Sequence, residues 1–172
     1  MTAAEFLLLA VMAQRAGELV LARRNTTQLK ARGAIEIAPR HYPLIVAVHA
    51  TWLVSLWVFG RDQPLHITAL LGYVALQGFR IWVMGTLGAR WTTRIMILPG
   101  EPLVTKGPYR FISHPNYAVV SAEILVLTLV LGLPVLAAIF TLLNALVLAI
   151  RIRAENSALA DRSGIPAVHV QS

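Results

Sequence analysis

The chain has 172 residues, 57% of them hydrophobic and 13% charged, with a formal net charge of +7. Soluble domains average about 45–50% apolar and about 25% charged residues, so this composition excludes a disordered chain, a collagen-like fibre and a small disulfide scaffold. Given the long apolar segments of the chain, the positive charge reads as a membrane protein's loop bias rather than a nucleic-acid surface. Cysteine is absent, which removes disulfides, thiol nucleophiles and Cys-ligated metal sites.

A helix crosses the hydrocarbon core of a bilayer with about 20 mostly apolar residues. Five segments meet or approach that length. The first runs from about Ala3 to Ala22 and carries Gln14, Arg15 and Glu18. Arg15 and Glu18 suit an ion pair facing other helices, with a polar pair in a substrate tunnel as the rival reading. Glu5, without a basic segment before it, argues against a cleavable signal peptide. The second segment is Pro43 to Gly60, with His49 its one ionisable group. His41 and His49 are eight apart with no acidic partner between them, so no metal site is expected. The third is Leu65 to Met84, with His66, Gln77 and Arg80. The fourth, Asn116 to Leu131, carries Glu123, and the fifth, Pro134 to Ile150, carries Asn144. Gly132 and Leu133 alone separate these two, which predicts a tight helical hairpin. The four tryptophans are read as packing or interfacial anchors.

The basic residues orient the map. Twelve of the fifteen Lys and Arg fall in Arg23–Tyr42, Gly85–Pro115 and the tail after Ile150. Arg61 stands alone on the other side, and Arg15 and Arg80 lie within spans. Cytoplasmic loops collect Lys and Arg. The expected fold is therefore an all-α integral membrane domain over residues 1–172, with five spans, the N-terminus outside and the C-terminus cytoplasmic. Residues 151–172 form a cytoplasmic helix and tail, frayed from about Ser163.

Gly85–Pro115 is too rich in Gly and Pro for a long helix and too rich in apolar side chains for disorder. It reads as a structured cytoplasmic cap against the bundle. It ends in GPYRFISHPNY, Gly107 to Tyr117. Pro115 suits a first helical position, which leaves His114 or Ser113 as the cap of a helix whose N-terminus attracts anions. The second polar focus is RIRAENSAL, Arg151 to Leu159. On a helix, Asn144, Arg151 and Glu155 share a face, and Arg151 with Glu155 also suits a simple salt bridge at the helix exit.

GPYRFISHPNY followed one hairpin later by RIRAENSAL resembles the isoprenylcysteine carboxyl methyltransferase family of integral membrane enzymes. The run RWTTRIMILPGEPLVTKGPYRFISHPNY, with GAIE (Gly33–Glu36) and HYP (His41–Pro43), is most similar to a bacterial branch that O-methylates long-chain alkylpyrones and alkylresorcinols. The resemblance implies S-adenosylmethionine as cofactor, held between the cap and the last helix pair. By position it implies cofactor contacts at Glu101, Pro102, Leu103, Val104, Tyr109, His114, Pro115, Asn116, Tyr117 and Glu155. Arg151 falls where the family has an arginine near the substrate. Two departures bear on the acceptor: Ser113 stands where the family often has Arg, and Glu155–Asn156 replaces a doubled glutamate.

Methyl transfer from a sulfonium is a direct displacement. The protein holds the acceptor oxygen in line, about 3–3.5 Å from the methyl carbon, and excludes water. Glu155 suits the sulfonium charge, and Arg151 suits an anionic acceptor oxygen. A phenolic acceptor, with a pKa near about 10, needs a base; Glu123 and His114 are the candidates. The expected acceptor is lipophilic and partitions into the bilayer of a bacterial inner membrane. The rivals are carboxyl methylation of a prenylated cysteine or another lipid acid, and a non-enzymatic membrane subunit or transporter. The acceptor's identity and the oligomeric state are not legible in the residues.

Overall fold

The computed structural model describes residues 1–161. It has five long helices: α1 (Ala3–Ala31), α2 (Tyr42–Gly60), α3 (Ile67–Leu87), α4 (Pro115–Val130) and α5 (Pro134–Asp161). They coincide with the five apolar segments of the sequence. Three helical stretches among the described residues, Pro39–Gly60, Ile67–Arg90 and Pro134–Ser157, are long and apolar enough to cross a membrane. The apolar α4 has 16 residues, about 24 Å of helix against a core of about 30 Å. The expected tail from Ser163 lies outside the described residues.

Local chemistry sets the ends. Thr2 and Glu5 form a reciprocal capping box at the start of α1. Pro43, Pro115 and Pro134 occupy first-turn positions, where a missing N–H costs nothing. The α4–α5 turn rests on Gly132, whose φ of 65° is open to a residue without Cβ.

Two features depart from the sequence reading. Helix α1 continues nine residues past Ala22, because Arg23–Ala31 contains no Gly or Pro and keeps helical backbone after its apolar pattern ends. The fold is also not purely helical. Strand β1 (Ile35–Ile37) pairs antiparallel with β2 (Ile95–Ile97), with Glu36 opposite Met96. Three-residue strands are too short to show a period. This ribbon fastens the cap to the α1–α2 connection. Glu36 reinforces it by pairing with Arg94 and, at 2.9 Å, with Lys30.

The apolar core draws on all five helices and centres on Leu8, Trp52, Leu56, Ile124, Leu127 and Leu131, each no more than 1% exposed. Trp52 is a packing residue, and its indole N–H donates to Thr128 Oγ1 at 2.9 Å. A polar layer crosses the same bundle. Arg15 donates to Glu18 at 2.9 Å and to Glu123 at 2.8 Å, and Arg80 donates to Glu123 at 2.6 Å and to both oxygens of Glu18. Gln77 bonds Glu123 at 2.8 Å, and Gln14 bonds both Gln77 and Glu18. Two guanidiniums thus neutralise two carboxylates, which is what a low-dielectric interior demands of buried charge. The Arg15–Glu18 pair expected from sequence is half of this network, which ties α1, α3 and α4 together.

Candidate active site

The cap comes back to the helix bundle through a short 3-10 turn, Gly107–Arg110. Gly107 has a φ of 56°, and a Cβ there would lie 2.5 Å from Thr86 Oγ1. Only glycine lets this turn sit against α3. The chain then enters α4 at Pro115, so His114 and Tyr117 stand at the mouth of that helix. His114 holds the N-cap position but makes no side-chain cap bond. Its ring stacks on Tyr117, with centroids 5.4 Å apart and planes 17° apart.

The last turns of α5 meet this mouth. The Tyr117 hydroxyl donates to Glu155 Oε2 at 2.8 Å, and His114 Nδ1 lies 3.7 Å from the same oxygen. Arg151, 5% exposed, does not form the helix-exit pair with Glu155 that its spacing allowed. It donates from Nη2 to the Thr93 carbonyl at 3.0 Å and lies 5.8 Å from the Tyr117 ring centroid, while its Nε is buried without a partner. Two turns deeper on α5, Asn144 is fully buried and donates to Ser121 Oγ at 2.9 Å.

His114, Tyr117, Arg151 and Glu155 line a cavity of about 290 Å³ between the cap and the α4–α5 pair, and Asn144 lies outside its lining. Small-molecule sites begin near about 300 Å³. Glu101, Pro102, Leu103, Val104, Tyr109, His114, Asn116, Tyr117, Arg151 and Glu155 all line it. Pro115 is not among the lining residues; it is buried at the start of α4. The residues of β2 and its flanks, Thr92 to Leu98, complete one wall. They lie within the run that carries the family resemblance, but no residue among them was singled out, and the ribbon with β1 places them at the cavity.

Glu123 stands elsewhere. It is absent from the cavity lining, 0% exposed, and bonded by Arg15, Arg80 and Gln77. The structure therefore sets this candidate base apart from the other candidate site residues, with its oxygens taken up by side chains of α1 and α3. Tyr109 is no base. Burial, and then the charge of Glu155, push its hydroxyl up to about 12.

Two salt links close the cap over the cavity. Glu101 pairs with Arg32 at the end of α1 and with Arg90, and Arg90 also donates to the Pro102 carbonyl at 2.8 Å. The wall below is pinned by Asn25, whose Nδ2 donates to the Trp91 carbonyl at 2.8 Å. Trp91 in turn donates from Nε1 to Asn116 Oδ1 at 3.2 Å. Asn25 was not singled out from sequence. A lone Asn on a polar helix carries no signal until the cap lies beside it.

The chain is 41% identical over 166 residues to the uncharacterized protein YpbQ of Bacillus subtilis (strain 168), covering 92% of this chain and 98% of that one. It is 27% identical over 157 residues to an uncharacterized protein of Haemophilus influenzae, covering 87% and 91%. No solved structure matches. Residues 67–161 match the isoprenylcysteine carboxyl methyltransferase (ICMT) family. That stretch holds α3, the cap, α4 and α5, which together build the cavity. The chain belongs to the isoprenylcysteine carboxyl methyltransferase family, a family of membrane methyltransferases.

Proposed function

We propose that the chain is an S-adenosylmethionine-dependent O-methyltransferase acting on a membrane-partitioned, long-chain alkylpyrone or alkylresorcinol. Methyltransferases of this family use S-adenosylmethionine, and the residues of the cavity suit it. Glu155 offers a carboxylate for a sulfonium. Leu103, Val104, Met96 and Tyr109 offer an apolar wall for a purine. Bound there, the cofactor supplies a methyl group on a positively charged sulfur.

The protein's part is binding, orientation and exclusion of water. Tyr117 holds the Glu155 carboxylate by its hydrogen bond, and His114 braces the Tyr117 ring. Arg151 keeps one buried donor, Nε, for an anionic acceptor oxygen. An acidic enol needs no base. A phenol needs one, and His114 is the residue of the cavity that suits the task. The observation that carries the reading is the Tyr117–Glu155 contact, in a cavity whose buried free donor is Arg151.

The test is a titration of S-adenosylmethionine into the detergent-purified chain. Saturable binding, lost in Glu155→Ala and His114→Ala, supports the reading; folded protein without binding points to a non-enzymatic subunit. Labelled cofactor is then incubated with lipid extracts and the labelled product identified. A methylated prenylcysteine or lipid acid would replace the alkylpyrone assignment by carboxyl methylation.

We further infer that residues 1–172 form one domain in a bacterial inner membrane, with α1–α5 as five spans, the N-terminus outside and the cavity cytoplasmic. The skewed basic residues and the bacterial relatives support this. Reporter tags at Asp62 and after Ser172 should label opposite faces; labelling on one face would remove the odd number of spans.

A further inference from the structure

A second concavity, a groove of about 490 Å³, opens between the later turns of α1 and the end of α3. The stretch 87–92 divides between the two spaces. Leu87, Arg90 and Thr92 line the cavity, while Gly88, Ala89 and Trp91 line the groove. On α3 the groove follows Ile81, Met84 and Gly85, which share a helix face. On α1 it follows Leu21, Arg24, Asn25 and Gln28.

The two helices run side by side in the same direction here, since Arg80 pairs with Glu18 and Gly88 accepts from Asn25 at 3.3 Å. The groove therefore has polarity along its length. Leu21, Ile81 and Met84 form an apolar end. Arg24, Gln28 and the exposed turn at Gly88–Ala89 form a polar end. Arg24 is exposed and is the one ionised side chain of the lining, which contains no carboxylate. An amphiphile with an apolar chain and a negative head matches this pattern, and α1 passes from apolar to charged residues at the same height.

We propose that the groove is a site for a membrane phospholipid of negative headgroup, its acyl chain along Ile81, Met84 and Gly85 and its phosphate at Arg24. The methyl acceptor is not the occupant. Trp91, 2% exposed, stands between groove and cavity, fixed at its carbonyl by Asn25 and at its indole by Asn116. A chain lying in the groove stays on its own side of that wall.

The test uses the full chain in detergent with added phosphatidylglycerol or phosphatidylcholine, and native mass spectrometry reads the lipid retained. Phosphatidylglycerol should be retained over phosphatidylcholine by about fivefold, the preference expected for one basic side chain at a lipid headgroup. Arg24→Gln should bring the ratio close to one, Arg24→Lys should keep it, and Arg40→Gln, an exposed cation elsewhere, should leave it unchanged. Gly85→Leu should reduce retention of both lipids. A Cβ at Gly85 meets no atom within 4 Å, so the added side chain starts in the open space of the groove, and the thermal unfolding midpoint of the variant is measured beside its lipid retention. Equal retention of the two lipids, an Arg24→Gln ratio like that of the parent, or retention unchanged in Gly85→Leu would each overturn the proposal. So would displacement of the lipid by a long-chain alkylresorcinol, which would make the groove an acceptor site. Cofactor binding is measured on the same samples, so the proposed activity stands or falls separately.

Discussion

Tyr117 and Glu155 lie 38 positions apart in the chain and meet at 2.8 Å, the hydroxyl of the first turn of α4 against the carboxylate of the last turns of α5. The tight turn at Gly132 makes this possible. It returns α5 antiparallel to α4, so the start of one helix faces the end of the other. His114 approaches the same carboxylate oxygen, and cap, α4 and α5 converge on one charge.

Glu155 should therefore dominate cofactor affinity. Hydrogen bonds to charged groups contribute about 1.5–3 kcal/mol, so Glu155→Gln should weaken S-adenosylmethionine binding by roughly 10–100-fold in calorimetry. Tyr117→Phe, which leaves the carboxylate in place, should cost less than about tenfold. Wild-type affinity in Glu155→Gln would remove this residue from the site.

Arg151 should act on the acceptor more than on the cofactor. Arg151→Lys keeps the charge but loses the planar fork that reaches the Thr93 carbonyl. The expected outcome is a kcat/KM for the acceptor reduced at least about tenfold, with the cofactor Kd within about threefold of the parent. A loss confined to cofactor binding would reverse the assignment.

Glu123 should matter for stability. Breaking a buried ion pair costs about 3–5 kcal/mol, so Glu123→Ala should lower the thermal unfolding midpoint in detergent markedly, and Glu123→Gln less so. If Glu123→Gln folds and binds cofactor like the parent yet does not turn over, the carboxylate is chemical after all.

The ribbon between β1 and β2 should loosen in acid. Burial raises the Glu36 carboxyl, but hydrogen bonds and charge from Lys30 and Arg94 outweigh it and hold the group below the usual carboxylate range. A group lowered in the fold contributes stability that is complete above its unfolded pKa and is lost as pH falls through the folded value. Amide exchange at Ile35–Ile37 and Ile95–Ile97, corrected for intrinsic rates, should accelerate below about pH 4. Glu36→Gln should abolish that dependence, and salt should weaken it, because Lys30 is half exposed. Exchange that is flat across this range would show that the ion pairs do not hold the strands.

The five helices were legible in the sequence because apolar length and Gly/Pro punctuation are local properties. The pairing of GPYRFISHPNY with RIRAENSAL was implied by the resemblance to the family, which these two contiguous motifs carry. Other features depended on which elements become neighbours. The β1–β2 ribbon and the Asn25 clasp on Trp91 join segments distant in the chain, and neither has a local pattern of its own; the run containing Thr92–Leu98 resembles the family, but its place as a cavity wall depends on that ribbon. Glu123 shows the difference most directly. One buried carboxylate in an apolar helix implies a role, but the choice between proton acceptor and ion-pair partner depends on where Arg15 and Arg80 come to rest. Their arrival beside it is a matter of helix packing, and the cost of unpaired charge in a low-dielectric bundle favours the ion pairs that form there.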